Sequence, residues 1–181
     1  MGSNPQPVTG AGGVGSPATA RPTTRSTSRS RTPIPPNSAA SRVLLYSILS
    51  HGGREPRRAL PGDVGYDLFV SEQVVIEPGA FVDVHSGVAV EFPSGVWGML
   101  VGRSSTLRRR QLHVPIGIID NGYRGELYAG AYNLGDRPVT IEVGERIAQL
   151  ILMPMVILPM QEVVSLSETE RGDRGFGATG G

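Results

Sequence analysis

Gly117-Ile118-Ile119-Asp120-Asn121-Gly122-Tyr123-Arg124-Gly125 carries the reading of this chain. An apolar run of strand character delivers one carboxylate, Asp120, into an Asn-Gly pair. An aromatic, Tyr123, follows before a second apolar run at 127–132. Two such runs about a short Asn-Gly link are a strong local signal for a β-hairpin. The segment therefore predicts paired strands and a tight turn. Asp120 has two readings here. It caps the turn with its own side chain, as turn aspartates commonly do, or it stands with Tyr123 at the mouth of a stiff hairpin to grip a small substrate and position a water.

Outward from this segment the texture repeats. Short apolar runs at 43–49, 74–76, 81–84, 88–92, 96–101, 116–119, 127–132, 139–143 and 147–152 all have strand character. Between them stand Glu77-Pro78-Gly79, Pro93-Ser94-Gly95, Asn121-Gly122 and Gly135-Asp136-Arg137-Pro138, which are turn chemistry. Short strands at this spacing predict an all-β barrel or sandwich. Only residues 104–110 suggest a helix, with Ser104 or Ser105 as N-cap. Amides at its start would suit an anion. Trp97 and the run 153–160 are candidates for core or subunit interface.

Length and composition set the bounds. The chain has 181 residues, 39% of them hydrophobic, enough for one domain with a core and a tail. No apolar run is long enough to cross a bilayer and no secretory signal is apparent, so a soluble, cytoplasmic protein is expected. With no cysteine, disulfides and thiolate-bound metals are excluded. His51, His85 and His113 have no metal-ligand spacing. There is no lysine; residues 1–40 hold four arginines and no acid, which leaves 13 arginines against 16 acids, or −3, for the remainder. The folded part is therefore not a general nucleic-acid binder. Arg108-Arg109-Arg110 reads as a solvated helix face.

The two ends differ from the middle. Residues 1–40 are Gly, Pro, Ser, Thr and Arg with few large apolar side chains, so a disordered tail is expected. Its Arg- and Ser-rich makeup is that of a transit peptide, but scattered Pro and Gly prevent the amphipathic helix such peptides form. Weak electrostatic contact to nucleic acid is a further use. The C-terminal stretch Arg171-Gly172-Asp173-Arg174-Gly175-Phe176-Gly177-Ala178-Thr179-Gly180-Gly181 is too rich in glycine for a strand or helix. Glycines such as Gly177 let backbone amides approach phosphate oxygens, arginine matches phosphate geometry, and Phe176 offers a face to a flat base. A flexible segment closing over a nucleotide fits that composition. The expected division is a tail at 1–40, a β-domain at 41–165 and a glycine-rich lid at 166–181.

Five segments in order, Gly62-Asp63-Val64-Gly65-Tyr66-Asp67-Leu68, Gly102-Arg103-Ser104-Ser105, 117–125, Gly144-Glu145-Arg146-Ile147-Ala148-Gln149-Leu150 and 171–180, resemble the five ordered motifs of the trimeric dUTPase family over roughly residues 42–181. The resemblance implies a jelly-roll-like β-barrel, a homotrimer whose C-terminal tails are exchanged between subunits, and hydrolysis of dUTP to dUMP and pyrophosphate. It implies that Asp120 activates the attacking water, that Tyr123 packs under the deoxyribose, and that the backbone of Gly117, Ile118 and Ile119 pairs with uracil. Arg103, Ser104, Ser105, Gln149, Arg171 and Thr179 match phosphate contacts, and Phe176 the ring that covers the base. A Mg²⁺ held by phosphates and water is implied, with Asp67 reaching it through water. Two departures stand in the last motif, where Ala178 replaces the usual serine and Arg174 the usual glycine.

Two rivals define the tests. The dCTP deaminases share the fold, but their chemistry needs a glutamate where this chain has Gly130. In a dUTPase-fold binding or regulatory module catalysis would be lost or incidental. The intact Asp120, Tyr123 and Arg171 argue against its loss but not against an added partner role, for which the basic N-terminal arm is the candidate.

Overall fold

Among the described residues, apolar positions two apart, punctuated by Gly and Pro turns, fold into ten strands and one helix. In chain order these are β1 (Leu45–Ile48), β2 (Gly65–Leu68), β3 (Val74–Ile76), β4 (Phe81–Glu91), β5 (Val96–Gly102), α1 (Ser104–Arg110), β6 (Leu112–His113), β7 (Gly117–Ile119), β8 (Glu126–Asn133), β9 (Val139–Ile141) and β10 (Ala148–Pro154). The computed structural model describes residues 43–173. The expected tail at 1–40 and the tail residues Phe176, Gly177 and Thr179 lie outside them.

Every strand pairing among the described residues is antiparallel. One sheet runs β1-β4-β8-β6, a second β2-β10-β5-β7, and β3 pairs with β9. In β8 the period of two is plain: Leu127, Ala129, Ala131 and Asn133 are buried while Tyr128 and Tyr132 face out. Leu68, Ile76, Val88, Leu100, Leu127 and Leu150, drawn from all three sheets, belong to one buried cluster. Each such side chain contributes about 1.5–3 kcal/mol when fully buried. The architecture is the expected all-β, jelly-roll-like fold with one short helix. Among the described residues no helix is long and apolar enough to cross a membrane.

The hairpin expectation is corrected. β7 pairs with β5, Gly98 opposite Ile119 and Leu100 opposite Gly117, whereas β8 pairs with β4 and β6. The Asn-Gly link is thus a corner between two sheets. Neither Asn121 nor Gly122 takes the positive φ that a two-residue hairpin turn of type I′ demands. The turn is closed all the same, since the Tyr123 amide donates to the Asp120 carbonyl at 3.0 Å.

Smaller expectations shift as well. The runs at 81–84 and 88–92 merge into β4, whose register against β8 slips between His85 and Ala89, where Gly87 takes φ +65°. The N-cap of α1 is Arg103, without a side-chain cap bond, and Ser104 is already helical. Arg110 does not belong to a solvated face: its guanidinium forks onto Glu145 at 2.9 and 2.8 Å. The core reading of 153–160 fails beyond Met155, because residues 156–173 are exposed and form no helix or strand.

Candidate active site

At the outer end of β7 the chain turns away from its sheet and carries Asp120 into the open. Asp120 is exposed, and its carboxylate has no hydrogen bond or ion pair among the described residues. The turn-capping reading therefore gives way to a free carboxylate on a braced backbone. Asn121 supplies the brace, its amide nitrogen donating to the carbonyls of Pro93 at 2.9 Å and Val96 at 2.7 Å. Arg124 adds another, from one guanidinium nitrogen to the Asn121 and Tyr123 carbonyls at 2.7 and 2.9 Å. The Tyr123 hydroxyl donates to the Glu126 carbonyl at 3.0 Å, which lays the ring beside Gly125.

This corner borders a cleft of about 350 Å³ walled by Gly117, Ile118, Ile119, Asp120 and Tyr123 on one side and by Phe81, Tyr128 and Gly130 on the other. β7 is an edge strand, so one row of its amides and carbonyls is unpaired within its sheet and available to a flat, hydrogen-bonding ligand. A Cβ at Gly130 would lie 2.5 Å from the outer end of the half-exposed Phe81 ring, which would have to move aside.

A second, polar cleft of about 250 Å³ forms around β2, lined by Asp63, Gly65, Asp67, Arg103, Ser104 and Gln149 among others. Asp67 is its buried anchor. One carboxylate oxygen takes Arg103 Nε at 2.6 Å and the other Arg146 Nη1 at 2.9 Å. Arg54, Arg57 and Arg146 stack over the buried Phe69 ring at 5.5–5.9 Å, a further hold on cations in a small volume. Gln149 lies across Gly65, where a Cβ would meet its Oε1 at 2.0 Å. A concentration of guanidinium, hydroxyl and amide donors of this kind suits phosphate oxygens. Ser105 follows Ser104 in the first turn of α1, and Arg171 is exposed in the segment after β10.

A family model for dUTPase matches residues 53–180, which takes in both clefts. The chain belongs to the dUTPase family. Among its relatives, the deoxyuridine 5'-triphosphate nucleotidohydrolase of Mycobacterium marinum is 42% identical over 149 residues, covering 78% of this chain and 97% of that one. The Staphylococcus bacteriophage 80alpha dUTPase with dUpNHpp superimposes with a TM-score of 0.73 at 32% identity, over 77% of this chain and 99% of that one. A mutant dUTPase of phage phi11 of S. aureus, whose structure reveals the coordination of a structural Mg(II) ion, matches with a TM-score of 0.65 at 28% identity, over 68% and 97% of the two chains.

In this dUTPase the residues expected from sequence fall into two groups. Gly117, Ile118, Ile119, Asp120 and Tyr123 share the first cleft, and Asp67, Arg103, Ser104 and Gln149 the second. The sequence reading missed Phe81, Tyr128 and Asp83 in the first cleft. Their signal was the outward phase of β4 and β8, where Phe81 stands opposite Tyr132 and Asp83 opposite Gly130, on a face that also exposes Phe81 and Tyr128. It also missed Arg146, which touches Asp67 from 79 residues away.

Proposed function

We propose that this dUTPase hydrolyses dUTP to dUMP and pyrophosphate, with the base and sugar held in the β7 cleft and the phosphates received by the Arg103–Asp67–Gln149 cleft. The observation that carries the reading is the carboxylate of Asp120, unpartnered among the described residues, at the end of a free strand edge beside Tyr123. The edge of Gly117, Ile118 and Ile119 pairs with the uracil ring, and Tyr123 packs against the deoxyribose so that a ribose hydroxyl would clash. Asp120 takes a proton from a water as that water attacks the α-phosphorus. The bond from the α-phosphorus to the bridging oxygen breaks, and pyrophosphate leaves. Arg171 and the tail residues Phe176, Gly177 and Thr179 complete the enclosure. Removing dUTP limits uracil in DNA, and the dUMP released supplies thymidylate synthesis.

The two clefts share no lining residue and sit at opposite edges of one sheet. By strand spacing and register, Asp67 and Asp120 of one chain lie on the order of 15–20 Å apart, beyond what one triphosphate bridges with its α-phosphorus beside Asp120. A complete site therefore needs more than one copy, which supports the homotrimer. Among the described residues no group of three His, Cys, Asp or Glu could hold a metal, and both Asp67 oxygens are already given to arginines. The chain's donors do not fit a protein-held ion. We keep Mg²⁺ on the triphosphate, where it would neutralise phosphate charge, and assign Asp67 to holding Arg103 and Arg146.

Pyrophosphate release from the purified full chain with dUTP and Mg²⁺ is the test, and no turnover at micromolar substrate would overturn the reading. Asp120→Asn is expected to keep binding of dUpNHpp while turnover falls by about 10²–10⁴. Ammonia from dCTP would favour the deaminase, against which Gly130 speaks, since it brings no carboxylate to that place.

A further inference from the structure

Among the bonds that hold the corner presenting Asp120, one side chain alone of the described residues ties it to the turn between β4 and β5. Asp120 is tied down through its backbone alone: its side chain has no partner among the described residues, and β7, already paired to β5, ends one residue earlier at Ile119. The next residue, Asn121, reaches out of the corner with both amide protons. They go to the carbonyls of Pro93 and Val96, on either side of the Ser94-Gly95 turn that joins β4 to β5. Two carbonyls can only accept, so the nitrogen of Asn121 must face them, and no carboxylate or alkyl group of that size can replace it.

The receiving turn is itself stiff. The Val96 amide closes it onto Pro93 at 3.2 Å, the Met155 amide donates to the Gly95 carbonyl at 2.8 Å, and Trp97 Nε1 donates to the Pro154 carbonyl at 3.1 Å. The base-facing edge of β7 depends on none of this, since its register to β5 is carried by Gly98, Met99 and Leu100. Loss of the tether would let the backbone that carries the carboxylate shift and leave the base-binding edge in place.

We infer that Asn121 is a positioning residue that fixes the Asp120 carboxylate against the β4–β5 turn, so that it governs turnover and not nucleotide binding. This rests on the reading of Asp120 as the base. A displaced general base loses rate steeply, on the order of 10²-fold for about 1 Å. The experiment compares kcat for dUTP with the Kd of dUpNHpp in Asn121→Ala and Asn121→Asp, with Asp120→Asn in parallel. The expected result is a fall in kcat of roughly 10- to 100-fold in both Asn121 variants, with Kd for the analogue within about threefold (under 1 kcal/mol). A kcat close to the parent value, or a proportional loss of kcat and binding, overturns the inference. If Asn121→Ala does not fold, Asn121→Ser, which keeps one donor and a turn-forming side chain, is expected to show the same split in smaller measure. A fully active Asp120→Asn would instead overturn the assignment of the base, so the two failures are distinguishable.

Discussion

At Asp67 two guanidiniums and any metal-bound water compete for one carboxylate. The side chain is 7% exposed and the arginines 27% and 41%, so the pair is deep on one side and wet on the other. Breaking a buried ion pair destabilises by several kcal/mol, and the exposure of the arginines lowers that figure here, so Asp67→Asn is expected to lose about 1–3 kcal/mol on denaturant unfolding. The more telling measurement is the Mg²⁺ concentration for half-maximal turnover. It should stay where it is in Asp67→Asn, because the residue holds arginines; a clear rise would give Asp67 back its link to the ion. Sequence alone could not separate these roles. Arg146 enters the neighbourhood of Asp67 only through the pairing of β10 with β2, a contact no local pattern announces.

Among the elements, β8 shows how one polar residue can fix several turns. Asn133 is completely buried at its end. Its amide nitrogen donates to the Ile76 carbonyl at 2.9 Å and the Arg137 carbonyl at 2.7 Å, and its side-chain oxygen accepts from the Gly135 amide at 2.9 Å. Asn133→Ala would leave those groups buried without partners, and a loss of about 2–4 kcal/mol is expected, read from the denaturation midpoint. The same scale explains what the sequence disclosed. α1 was legible because one uninterrupted run between Arg103 and Leu112 admits little else. β2 was not, since Gly65-Tyr66-Asp67-Leu68 has no alternation and owes its strand form to β10. The Asn-Gly corner misled for the opposite reason: its local chemistry is that of a hairpin, but β5 offers β7 a better partner than β8 does. Asp120 and Tyr123 were readable as a pair despite that error, because both orientations of the link bring them to the same end of β7.

On the scale of the whole molecule, the described chain is open where a finished enzyme would be closed. Beyond β10 it exposes Val156, Ile157, Leu158 and Met160, with relative exposures of 81%, 76%, 75% and 101%, an apolar strip of the kind that marks contact with another chain. The root of that strip is bonded to the turn that receives Asn121. The placement of the two clefts at opposite edges of one sheet has a genetic consequence. A copy with Asp120→Asn still offers an intact arginine cleft, and a copy with Arg103→Ala still offers an intact carboxylate. Each variant alone should be nearly inert, yet unfolding and refolding the two together should produce mixed assemblies in which some sites draw a sound half from each parent. Recovery of dUTP turnover in that mixture, absent from either parent refolded by itself, would be complementation between two dead alleles of one gene; its failure would mean that a single chain builds the whole site.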